Sequence, residues 1–366
     1  MPRPTGRVVR RLRIDLVAAV AMVAVVALSV APRGLLAQGG ERLFYYVDRE
    51  SSYESLVKHI DQIDVLGPQV LTVDSLGIVW GSLDRRVAAL AAARGVKVMP
   101  LLVNEGFNQP ALRRLLADSA ARDRAIRTLV TLCRENRYWG IQFDVENLNI
   151  QDRDAYTRWY REAADALHAA GFTISLAVVH RLQDDAGPTG YHRFLQDSWR
   201  AGFDLAALGR IGDFVSLMSY DQHTGRTPPG PGAALPWVHE NVEYALRFVP
   251  ASKLSVGIPL YGGHWYTRAD PSFPERARTA RSTVTWSWGS GLVERNGGTM
   301  QWDEREQVPF AHFSNGGVYE WVFLENARSF AAKLALVGEF KLRGFSAWVL
   351  GGEDEEIWDV LRKARR

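Results

Sequence analysis

The chain has 366 residues, 47% of them apolar and 23% charged, enough for one large globular domain with a sizeable core. That balance excludes a disordered or coiled-coil chain. The formal charge of +3 is concentrated at one end: residues 1–37 hold six Arg and one Asp, and the remainder is slightly acidic, which excludes a charge-driven nucleic-acid partner.

In the N-terminal segment, Arg3, Arg7, Arg10, Arg11 and Arg13 precede the apolar run Leu16–Ala31, and small residues follow around Ala37. This is the layout of a secretory signal peptide. It predicts cleavage near Ala37, a secreted or periplasmic mature chain spanning 38–366, and no stable membrane partner after cleavage. The apolar run is shorter than the roughly 20 residues of a membrane span. Cys133 is the only cysteine, so no intramolecular disulfide is available, and its place in a helical pattern makes it a small buried apolar residue.

Short β-branched runs then alternate with amphipathic stretches. Strand Leu43–Val47 precedes helix Tyr53–Ile63, and strand Gln69–Val73 precedes helix Arg85–Ala93. Lys97–Val103 is followed by helix Arg122–Arg134, and Gly140–Val145 by helix Arg153–Ala170. Strands Thr173–Val179 and Phe214–Ser219 come next, then helix Trp237–Phe248, strand Leu254–Pro259, helix Ser329–Phe340 and strand Gly344–Leu350. Gly95 and Gly171 close two of the helices. Eight strands alternating with helices predict an α/β fold, a (β/α)8 TIM barrel. A doubly wound sheet would need a Gly-rich loop after its first strand, and Asp48-Arg49-Glu50-Ser51-Ser52 is not one. The long interval between Pro259 and Gly344 holds a segment, 262–326, rich in Trp, Tyr, Gly and Thr; it predicts a small, partly β insertion between strands seven and eight. Most of Trp265, Trp286, Trp288, Trp302 and Trp321 are expected to form that insertion's own core.

A barrel carries its site at the C-terminal ends of its strands. The fourth strand ends in Phe143-Asp144-Val145-Glu146-Asn147, the sixth in Met218-Ser219-Tyr220-Asp221, the seventh in Pro259-Leu260-Tyr261-Gly262 and the eighth in Trp348-Val349-Leu350-Gly351-Gly352. Acids and aromatics therefore converge on one rim. Asp144 and Glu146 are two apart and share a face of the strand, with Gln142 one step deeper on that face. Two close carboxylates repel, and burial adds to the effect, so one stays protonated as a general acid while the other ionises. A structural acid pair salt-bridged to a barrel arginine is the competing reading of the spacing. His180 and His223 follow strand ends and read as solvated or structural residues. No metal-ligand spacing occurs, and no metal or cofactor is implied.

The fourth-strand stretch resembles the DGxDxDxE signature of glycoside hydrolase family 18, the chitinase-like hydrolases. Aligned on Glu146, the chain reads Trp139-Gly140-Ile141-Gln142-Phe143-Asp144-Val145-Glu146, so the last Asp and the Glu match while Trp139 and Gln142 replace the other two acids. Leu217-Met218-Ser219-Tyr220-Asp221 resembles the family's sixth strand, Lys253–Gly262 its seventh and Gly344–Asp354 its eighth, in barrel order. The Asp144-x-Glu146-Asn147 version is similar to the branch of spore-cortex and cell-wall glucosaminidases. The resemblance implies a hydrolase that cleaves β-1,4 linkages of N-acetylglucosamine-containing glycans, peptidoglycan or chitin; the N-terminal layout makes it an exported one, and the mature chain is expected to be a monomer. It implies a retaining mechanism assisted by the substrate's acetamido group. In that mechanism Glu146 is general acid and base, Asp144 orients the acetamido N–H and Tyr220 donates to the acetamido oxygen. Gln142, Asp221, Tyr261 and Trp348 are the implied substrate-binding residues. Gln142 is expected to hydrogen-bond Asp144 without taking a proton, and so to shift the pH optimum. The alternative is a catalytically silent chitinase-like barrel that binds such glycans; the joint presence of Glu146, Asp144 and Tyr220 favours the hydrolase.

Overall fold

The computed structural model describes residues 40–270, 272–273 and 276–364, so the signal segment expected at 1–37 lies outside the described residues. Eight parallel strands form a closed ring: Glu41–Tyr46, Val65–Val73, Leu101–Asn104, Gly140–Asp144, Thr173–Val179, Phe214–Met218, Leu254–Pro259 and Gly344–Trp348. The first strand pairs with both the second and the eighth, Leu43 opposite Val65 and Glu41 opposite Gly344, so the ring has no free edge. The alternation read from the sequence is thus the (β/α)8 TIM barrel. Because helices cover the outer faces, the strands read as nearly continuous buried runs rather than alternating ones; in the first strand every residue after Glu41 is buried.

Two apolar layers follow from this geometry. The larger lies between strands and helices and includes Phe143, Trp159, Tyr160, Phe345 and Trp358. The smaller fills the barrel interior with Leu43, Tyr45, Val65, Met99, Leu101 and Phe214. Trp139 packs against this inner layer, stacked on Phe214 with ring centroids 6.1 Å apart and covered by the Lys97 ammonium at 4.3 Å. The indole that replaces an acid of the signature thus packs at the base of the fourth strand. Cys133 is buried and free, as its place in the helical pattern predicts.

The structure departs from the sequence reading in three places. The third strand, expected to run unbroken over Lys97–Val103, is split into Lys97–Val98 and Leu101–Asn104. Pro100 explains the break, since it has no N–H to give to the ladder. A helix at Gln109–Ala117 precedes the expected one, which runs over Ser119–Asn136. Asn108 caps the first through Ala111 N–H, with proline in the opening turn, and Asp118 caps the second through Ala120 N–H. After the fifth strand comes helix Gly190–Leu195, a wider π-type turn at Gln196–Arg200 and helix Leu205–Ile211.

Between strands seven and eight, five antiparallel strands and the helix Trp286–Arg295 form a separate sheet with its own apolar cluster of Val284, Val293, Ala311, Phe313, Val322 and Leu324. Of the tryptophans there, Trp265 is fully buried, whereas Trp288 is 46% exposed and Trp302 lies under the Arg328 guanidinium at 3.9 Å. Its first and last strands pair, Gly263 opposite Phe323. Just past that exit, Glu325 and Lys333 form a fully buried ion pair at 2.9 Å, with Ser329 donating to the same carboxylate at 2.6 Å.

Candidate active site

A cavity of about 880 Å³ opens where the barrel strands end. Tyr45 of the first strand, Gln69 of the second, Asp144 of the fourth and Trp348 of the eighth line it, together with Glu146, Tyr220 and Asp221 just beyond the fourth and sixth strands. The two acids enter from one face of the fourth strand, while Phe143 between strand and helices packs edge-on to Trp159 and Tyr160. Val145, between the acids, is wholly buried. The alternation of the strand thus separates a charged inner face from an apolar outer one.

Glu146 is fixed through its backbone. Its N–H donates to Oδ1 of Asn104 and its carbonyl accepts from Nδ2 of the same residue, both at 3.0 Å. The next residue, Asn147, adopts a left-handed conformation with φ of 55°. Its amide donates to the Phe107 carbonyl at 2.9 Å and its own carbonyl accepts from Gln109 at 3.1 Å. The chain after the fourth strand is therefore tied to the loop after the third.

Asp144 is 3% exposed. Its Oδ2 accepts one long hydrogen bond, 3.4 Å, from Gln69, and its Oδ1 has no partner among the described residues. Burial with so little compensation raises Asp144 to about 6. Burial raises Glu146 further, to about 8, with added repulsion from Asp144 and Asp221. Both acids are thus held above the ordinary carboxylate range, and their mutual repulsion disfavours ionising the two together. Burial also pushes the Tyr220 hydroxyl far up, so it remains a donor.

The other expected site residues are spread over two layers. Asp221, in a left-handed conformation with φ of 60°, lines the cavity and accepts from the Tyr261 hydroxyl at 2.7 Å. Tyr261 is buried behind Asp221 and packs edge-on to Tyr220 at 6.3 Å, outside the cavity lining. Trp348 lines the cavity beside Tyr45, ring centroids 5.3 Å apart. Gln142 lies deeper than expected. It is fully buried, and its amide nitrogen donates to Ser175 and Ser216 at 3.0 and 3.1 Å. The hydrogen bond to Asp144 expected of Gln142 comes from Gln69 instead. The register of the second strand shifts between Gln69 and Leu71, directly after Pro68, and such an irregularity re-aims side chains.

Comparison with known proteins decides the family. The sequence profile of Glycosyl hydrolases family 18 matches residues 42–353. The chain belongs to that family. It is 32% identical over 264 residues to the cortical fragment-lytic enzyme of Bacillus subtilis, an alignment covering 71% of this chain and 57% of that protein's length. It is 23% identical over 358 residues to a Bacillus subtilis protein named Uncharacterized glycosylase YvbX, covering 96% of this chain and 99% of that one. Among solved structures, a chitinase from Chromobacterium violaceum superposes with a TM-score of 0.78 at 25% identity, over 89% of this chain and 98% of that chain. The spore cortex-lytic enzyme SleL of Bacillus megaterium shares the fold, with a TM-score of 0.79 at 24% identity over 90% of this chain and 75% of that one. The chain is accordingly a glycosidase, and the resemblance to the spore-cortex branch is matched by its relatives.

The family 18 cavity also contains residues that sequence reasoning passed over. Tyr45 and Gln69 sit inside strands and carry no signal of their own. His180, a strand-end residue within reach of the rim and expected to be solvated or structural, lines the cavity wall, with Trp237 edge-on to its ring at 4.7 Å. Arg200 and Arg226 come from the long connections after strands five and six, where helical spacing is interrupted.

Proposed function

We propose that the chain hydrolyses β-1,4 linkages of N-acetylglucosamine-containing glycans by a retaining, acetamido-assisted route. The observation that carries this reading is that Asp144, Glu146 and Tyr220, from the ends of the fourth and sixth strands, line one cavity, with burial holding both acids above the ordinary carboxylate range. Glu146 protonates the leaving glycosidic oxygen as the C1–O bond breaks. The substrate's acetamido carbonyl oxygen attacks C1 from the opposite face and closes an oxazolinium ring. Asp144, whose Oδ1 lacks a partner among the described residues, accepts from the acetamido N–H and faces the positive charge that develops. Tyr220 donates to the acetamido oxygen. Glu146, now a carboxylate, takes a proton from water as that water opens the ring at C1, which restores the original anomeric configuration and the protonated acid. Trp348 offers an apolar floor to the sugar ring.

Wild type and Glu146→Gln are compared on a chromogenic chitobioside and on purified peptidoglycan. Cleavage of at least one by wild type, and loss of most activity in the variant, is expected. Equal cleavage of a substrate lacking the N-acetyl group would sink the acetamido-assisted route. Export belongs to the same proposal: the N-terminus of protein recovered outside the cytoplasm is expected near Gln38, and recovery of the full-length chain there counts against cleavage.

A further inference from the structure

Arg200 lines the cavity with no carboxylate among the described residues to neutralise it. It ends the π-type turn Gln196–Arg200, a local geometry frequent at functional sites. Its Nη2 donates to Nε2 of His180 at 2.9 Å. That partner is uncharged, since burial and the neighbouring guanidinium push His180 down to about 3. Asp184 is already engaged: it pairs with Arg181 at 3.1 Å and with Arg247 at 3.4 Å. No Asp or Glu lies within ion-pair distance of Arg200 among the described residues. Nor is Arg200 a counter-ion of the acid pair, because the charges acting on Glu146 are those of Asp144 and Asp221. Burial lowers the proton affinity of Arg200, an effect that Tyr191 opposes and Arg181 adds to. Arg226, on the loop after the sixth strand, lines the same cavity and likewise has no carboxylate partner among the described residues.

A partly buried guanidinium without a counter-ion is unfavourable in the empty protein. It becomes favourable when a ligand brings the anion, because a planar guanidinium fits a carboxylate by paired N–H donors. A glycan built of N-acetylglucosamine alone is neutral and supplies no such group. We propose that Arg200 is a specificity residue for an acidic glycan, receiving a carboxylate carried by an N-acetylated sugar of the bound chain. A 3-O-lactyl ether on the sugar, or a peptide joined to that lactyl group, provides this chemistry. The proposal rests on the glycan-hydrolase reading of the same cavity and selects among its substrates.

Binding is measured by calorimetry on the Glu146→Gln protein, so that no ligand is consumed. The ligands are an oligosaccharide with free lactyl carboxylates, its methyl ester, a peptide-substituted version and a neutral chitooligomer. The free acid is expected to bind at least about tenfold more tightly than its ester. Adding Arg200→Gln is expected to bring that ratio within about twofold while affinity for the chitooligomer stays unchanged. Arg200→Lys, which keeps the charge but not the fork, retains part of the preference and serves if the glutamine variant does not fold. An ester that binds as tightly as both the free acid and the peptide-substituted ligand overturns the proposal, as does a preference that survives Arg200→Gln. An equal loss of chitooligomer affinity also overturns it, by making Arg200 structural. An Arg200-dependent advantage for the peptide-substituted ligand assigns the carboxylate to the peptide, and one confined to the free acid assigns it to the lactyl group; both support recognition of an anion. Failure of wild type to cleave any of the four ligands removes the hydrolase reading and leaves the binding ratio to stand or fall separately.

Discussion

Both backbone groups of Glu146 are held by a single side chain, the carboxamide of Asn104 at the end of the third strand. The acid thus takes its position from a neighbouring strand, while its own carboxyl lines the cavity. Asn104→Ala removes two hydrogen bonds without touching the carboxyl. It is expected to lower kcat by about 10- to 100-fold with little change in KM, since small misplacements of a reacting group weigh heavily on the rate. A loss confined to KM would place Asn104 in substrate binding instead.

The acid pair sets the pH profile. Asp144 must be ionised and Glu146 protonated, so kcat/KM is expected to rise as pH passes about 6 and to fall as it passes about 8. The two limbs belong to the pair as a unit. Asp144→Asn removes the repulsion acting on Glu146, so in its residual activity the alkaline limb moves to lower pH. An alkaline limb that stays in place would show that Asp144 does not act on Glu146.

The same groups link stability to pH. Both acids have folded-state values above the ordinary carboxylate range, so the native state binds their protons more tightly than the unfolded chain does. Their contribution is fully present below about pH 4 and is lost as pH rises through about 6 and then about 8. Glu146→Gln is therefore expected to raise Tm at about pH 9, by on the order of 2 °C, and to leave it unchanged at about pH 4. Thermal melts of both proteins across that range check the sign.

Gln69 takes the role the sequence suggests for Gln142, that of donor to Asp144, and Gln142 binds two serines instead. Gln69→Leu removes the one donor on Asp144 and is expected to move the acidic limb upward with little loss of stability. Gln142→Leu leaves Ser175 and Ser216 without their amide partner and is expected to cost about 1–3 kcal/mol of stability. Denaturant melts and pH profiles of the two variants separate the roles; a Gln142 variant that moved the acidic limb as far as the Gln69 variant would reverse them.

The buried Lys333–Glu325 pair is a structural counterpart to these acids. Lys333→Met strands a buried carboxylate and is expected to destabilise by about 3–5 kcal/mol, whereas Lys333→Met with Glu325→Gln recovers most of the loss. The double-mutant comparison in chemical unfolding decides it.

The barrel was readable because its strands are apolar runs separated by helices whose spacing changes from two to near four residues. The acids were readable because charge inside such a run is anomalous, as Asp144 and Glu146 show. Asn104, at a strand end, and Gln69, inside a strand, were not, because a single amide disturbs no periodicity and its purpose exists only across strands. Pro100 and Pro68 were visible as residues, but the break and the register shift beside them depend on which strands lie next to each other. The cationic wall escaped notice for a similar reason: Arg200 lies in a connection where a π-type turn interrupts helical spacing.

Pairing of Gly263 with Phe323 brings the entry and exit of the insertion together. To the barrel, the whole excursion is therefore equivalent to a short loop, and its length adds little to the entropy of closing the ring. The insertion keeps an apolar cluster of its own, and the register of strands seven and eight is set by their direct pairing, from Gly344 opposite Ser255 to Trp348 opposite Pro259.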